Sequence, residues 1–300
     1  MLSLQTLGSG AKDNPLISVI MPCYNHVAYV EQAVVSVIEQ EHDSFELIVV
    51  DDCSVDGSYE LLETLSARYG FRLIRMESNQ GVCAAMNRGL SIARGKFIAT
   101  MDSDDVMLPN RLSLQSAYLE ENEQVGLVGG KVIYIDKYGS EIKREKADGS
   151  GEVKVLTIGE ILYEAFAVGG PVSMYRRDSL SEESPYDERL RVQDFQMTLK
   201  VAASGKEVHV LPFWITAYRR HGTNISRTQY QRQFEDDMRV IEPFAGLAEY
   251  RFARRAIINK ALKHAVKGSK LYAAKLFFML PVYMWNRVTI KRFVRFLFSW

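Results

Sequence analysis

Between residues 16 and 121, short apolar runs alternate with stretches of helical spacing, and each run stops abruptly in a polar cluster. Residues 17–21, 45–50, 71–76 and 96–101 predict strands. Residues 27–40, 58–69, 82–93 and 109–121 predict helices, the first through Val30, Ala33, Val34, Val37 and Ile38 on one face. Strands separated by helices of this length build βαβ units with right-handed crossovers. The expected fold is therefore α/β, a mainly parallel central sheet flanked by helices. In such sheets ligands sit at the carboxyl ends of the strands. Four polar clusters fall there: residues 23–26, Asp51 with Asp52, residues 77–81, and residues 102–105.

The last cluster carries the sharpest chemistry. Asp102, Asp104 and Asp105 end a buried run, and carboxylates so crowded repel one another and call for a cation. Hard oxygen ligands suit Mg²⁺ or Mn²⁺ held together with a phosphate-bearing substrate. Taken alone, the run reads as a solvated acidic turn; the convergence of four clusters on one sheet edge favours a site.

Beyond Gln124 the pattern loosens. Strands are expected at 125–128, 132–135, 172–175 and 213–218, a Gly-rich turn at 149–151, and a helix at 192–203. Residues 1–14 predict a loose polar tail and lack the basic and apolar regions of a signal peptide. The longest apolar run, 276–285, has ten residues and contains Pro281. That is half of the roughly 20 residues needed to span a bilayer. Cys23, Cys53 and Cys83 form no Cys-x-x-Cys pair and read as thiols of a reducing compartment. A cytoplasmic location is expected.

Four motifs in order, Ile17-Ser-Val-Ile-Met-Pro22-Cys-Tyr24-Asn25, Asp51-Asp52-Cys-Ser54-Val-Asp56-Gly57-Ser58, Asn79-Gln-Gly81 with Asn87, and Asp102-Ser103-Asp104-Asp105, closely resemble the family 2 glycosyltransferases of GT-A fold. The resemblance is tight over 16–112 and looser to 226. It implies an inverting enzyme that uses a nucleotide-sugar, usually a UDP-sugar, to build a cell-surface polysaccharide or glycolipid. By resemblance, Asp52 contacts the uracil, Pro22, Tyr24 and Asn25 line the nucleoside pocket, and Asn79, Gly81, Asn87 and Arg88 flank the nucleotide. Asp102, beside Ser103, faces the ribose. Asp104 binds Mn²⁺ or Mg²⁺, which bridges the diphosphate.

The same resemblance makes Asp194 the general base, within a Glu-Asp pattern where this chain has Gln193-Asp194. It places Arg219 on the diphosphate and His221 on the metal or diphosphate, and sets Gly169-Gly170-Pro171 near the acceptor. Asp187 and Glu188 are the next candidates for the base. Two other classes compete: another nucleotide-using α/β enzyme, and a non-catalytic scaffold on a transferase fold. The first lacks Gly-x-Gly-x-x-Gly and Gly-x-x-x-x-Gly-Lys-Ser/Thr. Retention of Asp52, Asp102, Asp104 and Asp194 argues against the second.

Net charge is zero but unevenly spread. Residues 251–300 hold twelve Lys or Arg and no acid, against 25 basic and 37 acidic groups in the first 250. Ile257, Ile258, Ala261, Leu262, Ala265 and Val266 share one helical face, opposite Lys260, Lys263, Lys267 and Lys270. Ile290, Phe293, Val294 and Leu297 likewise oppose Arg287, Lys291, Arg292 and Arg295. Basic amphipathic helices suit an anionic membrane surface, or else a packed appendage with solvated charges. Nucleic acid is not expected, because no recognition motif accompanies the charge. The expected organisation is a tail over 1–14, a GT-A domain over 15–226 and a helical basic extension over 227–300. The expected partners are a nucleotide-sugar, a saccharide or lipid-linked acceptor, the membrane face and, as an open case, a second copy of the chain.

Overall fold

The computed structural model describes residues 16–145, 151–180, 185–222 and 229–298. The 1–14 tail, Gly149 of the expected turn and residues 224–226 lie outside the described residues.

Strands β1 (Ile17–Cys23), β2 (Phe45–Asp51), β3 (Arg72–Arg75) and β4 (Phe97–Thr100) run parallel in the order β3-β2-β1-β4. Helices α1 (Val30–Ile38), α2 (Ser58–Tyr69) and α3 (Val82–Leu90) connect them. The first two strands are near-continuous apolar runs because both faces are covered. Val19 and Met21 pack in one cluster with Val34, Val37 and Leu62, whereas Ile20 packs with Met86 and Leu90. Helix α1 starts three residues later than its spacing suggests, because the amides of Tyr29 and Val30 both bond the carbonyl of His26 in a turn.

The second half is mixed rather than parallel. Beyond β4 come β5 (Val106–Met107), α4 (Arg111–Glu121), β6 (Val125–Ile135), β7 (Glu141–Arg144), β8 (Lys154–Leu156), α5 (Ile158–Glu164), β9 (Met174–Arg176), α6 (Gln193–Ala203) and β10 (Glu207–Arg219). The sheet continues β4-β9-β6-β10-β5, with β7 beside β6 and β8 beside β10. Strand β9 is antiparallel to β4 and β6, while β10 is parallel to β6. The two strands expected at 125–128 and 132–135 are one. Gly129 and Gly130 leave room for neighbours there: a Cβ would meet Val168 Cγ1 at 2.4 Å and Ile215 Cδ1 at 2.6 Å. The strand expected at 213–218 starts at Glu207, and register shifts between Val210 and Thr216 accommodate Pro212.

Helices α7 (Tyr230–Ile241), α8 (Tyr250–Gly268), α9 (Lys270–Phe278) and α10 (Arg287–Phe298) complete the described chain. The face expected on α8 is buried throughout, in one cluster with Leu162, Phe195, Leu199 and Phe234. The extension therefore shares its core with the sheet. Helix α10 corrects its expected faces. Phe293 packs on Phe277 and Trp285, with ring centroids 5.1 and 4.9 Å apart, and Arg292 bonds the Asn259 carbonyl. An aromatic cluster thus takes Phe293 from the apolar face, and the Asn259 carbonyl takes Arg292 from the basic one.

Candidate active site

Parallel register brings the carboxyl ends of β1, β2 and β4 side by side, and the polar clusters meet there. Two loops close one wall. The Asn25 side chain accepts from the Val55 amide at 2.9 Å, and its own amide bonds Ser54 Oγ at 3.0 Å. The amides of His26 and Val27 reach Ser58 Oγ and Asp56 at 2.8 and 3.0 Å. Asn25 and Cys53 take left-handed backbone at φ 56° and 62°, the turns that bring these loops together. Tyr24 is exposed beside half-buried Pro22.

Asp52 accepts from the amides of Gln80 and Gly81, both at 2.8 Å. Its carboxylate therefore fixes the turn that precedes α3, where Gly81 sits at φ 94°. Burial pushes this carboxyl up despite the two amide bonds. Asn79 stays exposed on the same turn, and Arg88 is exposed on α3.

The acidic turn after β4 splits into unlike groups. Asp104 Oδ2 lies 2.8 Å from His221 Nε2 and 4.0 Å from His26 Nε2. Burial alone would raise Asp104, but the His221 hydrogen bond and the two imidazoles outweigh it and hold the carboxyl low. Burial pushes Asp102 up to about 7, reinforced by Asp104 and Asp194. Burial also holds Asp105 well above the usual range, with Asp104 and Asp102 adding repulsion. The repulsion expected among three crowded acids is thus resolved by leaving the charge on Asp104.

Ser103 is buried and its Oγ lies 2.8 Å from His26 Nδ1, so β1's loop and the acidic turn are joined. Burial depresses His26, although Asp104 opposes this. His26, Asp104 and His221 offer ligand atoms within 4.8 Å of one another, as do Asp102, Asp104 and Asp105. Asp105 Oδ2 is buried without a hydrogen-bond partner. A mixed imidazole–carboxylate set with a spare oxygen fits Mn²⁺, and the carboxylate face fits Mg²⁺ as well. His26 was legible only as part of a polar cluster; its role beside Asp104 comes from the third dimension.

Two expected nucleotide contacts are employed differently. The Asn87 amide donates to the Tyr186 carbonyl and Glu188, each at 2.9 Å, and accepts from the Tyr186 amide, pinning the loop before α6. Arg219 is 2% exposed. It gives Nε to the Asp104 carbonyl at 2.7 Å, Nη2 to Gln32 at 2.6 Å and Nη1 to the Asp136 carbonyl at 3.3 Å. Its amide holds Asp105 Oδ1 at 2.7 Å. This fork clamps the acidic turn from behind and is not free for a diphosphate.

Sequence reasoning missed Arg111. Fully buried on α4, it bonds the carbonyls of Thr100, Pro171 and Ser173 at 3.0, 2.6 and 3.0 Å, tying the end of β4 to the Gly169–Ser173 loop. Burial lowers it to about 9, and Asp102 and Asp105 hold it charged. That loop lies against the site: a Cβ on Gly170 would meet Gln193 Nε2 at 2.7 Å and Asp102 Oδ1 at 3.4 Å. Gln193 donates to Asp102 at 3.3 Å, and its Oε1 is buried without a partner. Asp194 opens α6 and accepts from the Phe195 amide at 2.7 Å, while burial pushes its carboxyl up.

Residues 18–183 match the family described as Glycosyl transferase family 2. The putative teichuronic acid biosynthesis glycosyltransferase TuaG of Bacillus subtilis is 39% identical over 110 residues, 36% of this chain and 43% of TuaG. The chain thus matches less than half of that relative's length. Among solved structures, TarS 1–349 of S. aureus in complex with UDP-GlcNAc superposes with a TM-score of 0.65 at 20% identity, covering 88% of this chain and 81% of TarS. The mannosyltransferase PcManGT of Pyrobaculum calidifontis, in complex with GDP-Man and Mn²⁺, gives 0.60 at 17% identity, covering 96% and 89%. These likenesses establish the fold. With a family match over more than half its length, on a GT-A sheet whose clusters converge on one edge, the chain belongs to glycosyl transferase family 2.

Proposed function

We propose that this enzyme moves a sugar with inversion from a nucleoside-diphosphate sugar, UDP being the expected nucleotide, to a hydroxyl of a saccharide or lipid-linked acceptor in cell-surface polysaccharide synthesis. The observation that carries the reading is the edge formed by Asp52, Asp102, Asp104 and His221, with Asp194 facing it from α6. Pro22, Tyr24, Asn25, Asp52 and the Asn79–Gly81 turn frame the nucleoside, Asp102 and Ser103 the ribose, and exposed Arg88 reaches from α3. Asn87 and Arg219 support this frame from behind. TarS with UDP-GlcNAc and PcManGT with GDP-Man and Mn²⁺ support a nucleotide-sugar and a divalent ion for this chain.

Asp104 and His221, with His26 alongside, would hold Mn²⁺ or Mg²⁺. Bound there, the ion supplies Lewis acidity to the diphosphate and offsets charge on the departing nucleotide. Asp194 takes the proton of the acceptor hydroxyl as its oxygen bonds the anomeric carbon, and the bond from that carbon to the diphosphate oxygen breaks. Burial keeps the Asp194 carboxylate basic, which suits a proton acceptor. Exposed cations on the C-terminal helices bring the enzyme to the cytoplasmic membrane face, where lipid-linked acceptors reside.

Titration of UDP with and without Mn²⁺, in wild type and Asp104→Ala, tests the reading. Affinity should rise with metal in wild type and stay flat in the variant. Equal affinity in all four conditions would overturn the metal site.

A further inference from the structure

Three segments far apart in the chain bring a second imidazole to the acidic turn. His26 comes from the loop after β1, Asp104 from the turn after β4 and His221 from just beyond β10. His26 Nε2 lies 4.0 Å from Asp104 Oδ2, and the two imidazole centroids are 6.0 Å apart at 87°. A separation of 4.0 Å is too long for a hydrogen bond. Two metal–ligand bonds of about 2.1 Å span it. The same carboxylate oxygen meets His221 Nε2 at 2.8 Å.

His26 is held in this place by its neighbours. Ser103 Oγ engages Nδ1 at 2.8 Å, which leaves Nε2 as the nitrogen turned to Asp104. A ligating imidazole is characteristically fixed in this way through its other nitrogen. Tyr29 packs beside both rings, its centroid 6.4 Å from His26 and 4.9 Å from His221. The Arg219 guanidinium lies 5.0 Å from the same Tyr29 centroid. The His26 side chain is 25% exposed against 3% for His221, so the set opens to solvent on the His26 side.

We propose that His26 is a third protein ligand and sets the choice of ion: Asp104, His221 and His26 together take a transition metal, Mn²⁺ among them, and discriminate against Mg²⁺. This rests on Asp104 and His221 holding a divalent ion, as proposed above. Mg²⁺ demands near-octahedral oxygen and sheds water reluctantly, whereas imidazole suits first-row transition ions. With nitrogen as two of its three protein donors, the set disfavours Mg²⁺, admits Mn²⁺ and holds Co²⁺ more tightly still. The rival set is all oxygen: Asp102, Asp104 and Asp105 also bring ligand atoms within 4.8 Å of one another and would favour Mg²⁺. Two of its members are already engaged. Asp105 Oδ1 accepts from the Arg219 amide at 2.7 Å, and Asp102 Oδ1 from Gln193 at 3.3 Å.

Pulsed EPR of Mn²⁺ on the full-length protein, labelled with ¹⁵N-histidine and measured with and without UDP, reads the ligating nitrogens directly. Couplings from two imidazoles are expected in wild type and from one in His26→Ala. The wild-type spectrum decides the point even where the variant folds poorly. Competition of Mg²⁺ against protein-bound Mn²⁺ reads the selectivity. Preference for Mn²⁺ should fall roughly tenfold or more in His26→Ala, since losing even an outer partner of a ligand costs about 10–100-fold in metal affinity. Couplings from a single imidazole in wild type, or a preference unchanged in His26→Ala, would overturn the inference and leave the metal reading standing. Absence of bound Mn²⁺ with or without UDP would overturn both.

Discussion

Arg111 helps hold the end of β4 to the Gly169–Ser173 loop, since three carbonyls of the two segments converge on one buried guanidinium. Arg111→Met should lower stability by about 1–3 kcal/mol, the cost of one buried carbonyl left unpaired, because Thr216 Oγ1 still reaches the Pro171 carbonyl at 2.6 Å and the Thr100 amide the Ser173 carbonyl at 3.0 Å. Urea unfolding checks this, and an unchanged midpoint would mean those carbonyls find other donors. Asp194→Asn tests chemistry instead of scaffold: transfer should fall roughly 10²–10⁴-fold with UDP affinity intact, the usual range for a positioned base. Near-normal transfer would move the base to Glu188 or Asp187. The acids were legible in the sequence because four polar clusters fall at the carboxyl ends of successive strands; alone, the run would read as a solvated turn. Arg111 was not, since an arginine opening a surface-spaced helix looks solvated until the fold buries it. Arg219 shows the converse. Its motif was readable, but only packing reveals that Gln32, Asp104 and Asp136 use the fork.

At the scale of elements, the βαβ half was legible because its buried strands are long apolar runs separated by helical periods. The mixed half was not: β5, β7 and β8 have two to four residues, too short for any period to emerge. Helix α7 falls within the extension expected to be helical over 227–300, and its Tyr230, Phe234, Met238 and Ile241 recur at helical spacing. It carries a testable burden in Asp237. Burial pushes this carboxyl from its ordinary 3.8 up to about 7, partly relieved by Lys260. The unfolded chain therefore ionises near pH 4 while the folded one holds its proton until about 7, so this group makes stability fall as pH rises across that window. At roughly 1.4 kcal/mol per unit, the burden at neutral pH is a few kcal/mol. Asp237→Asn should flatten the pH dependence of urea unfolding between these values and stabilise the protein above pH 7. A variant whose pH profile matches wild type would show that Asp237 ionises normally.

Across the whole molecule, the charge asymmetry read from the sequence acquires a shape. The apolar face of α8 is spent on the core, so that helix offers its lysines, not its hydrophobes, to the outside. The exposed hydrophobes cluster further on, in Leu271 and Phe278 of α9, Val282 and Tyr283 after it, and Ile290, Val294, Leu297 and Phe298 of α10, among Arg287, Lys291 and Arg295. No helix of the described residues is long and apolar enough to cross a membrane. Apolar side chains interspersed with exposed cations and no acids suit the headgroup layer of an anionic bilayer, where each basic residue adds about 1 kcal/mol. Arg287→Gln, Lys291→Gln and Arg295→Gln together should therefore weaken partition onto anionic vesicles by roughly 3 kcal/mol, about a hundredfold. These three residues stand free of the Phe277–Trp285–Phe293 cluster, so UDP affinity should not change. Because exposed charges are screened within about 8 Å at physiological salt, raising ionic strength should mimic the substitutions in wild type and do little to the variant. Flotation with anionic and neutral vesicles at two salt concentrations reads both effects. A wild-type protein that ignores anionic vesicles at low salt would leave the extension with its packing role alone, holding the apolar face of α8 against Leu162, Phe195 and Leu199.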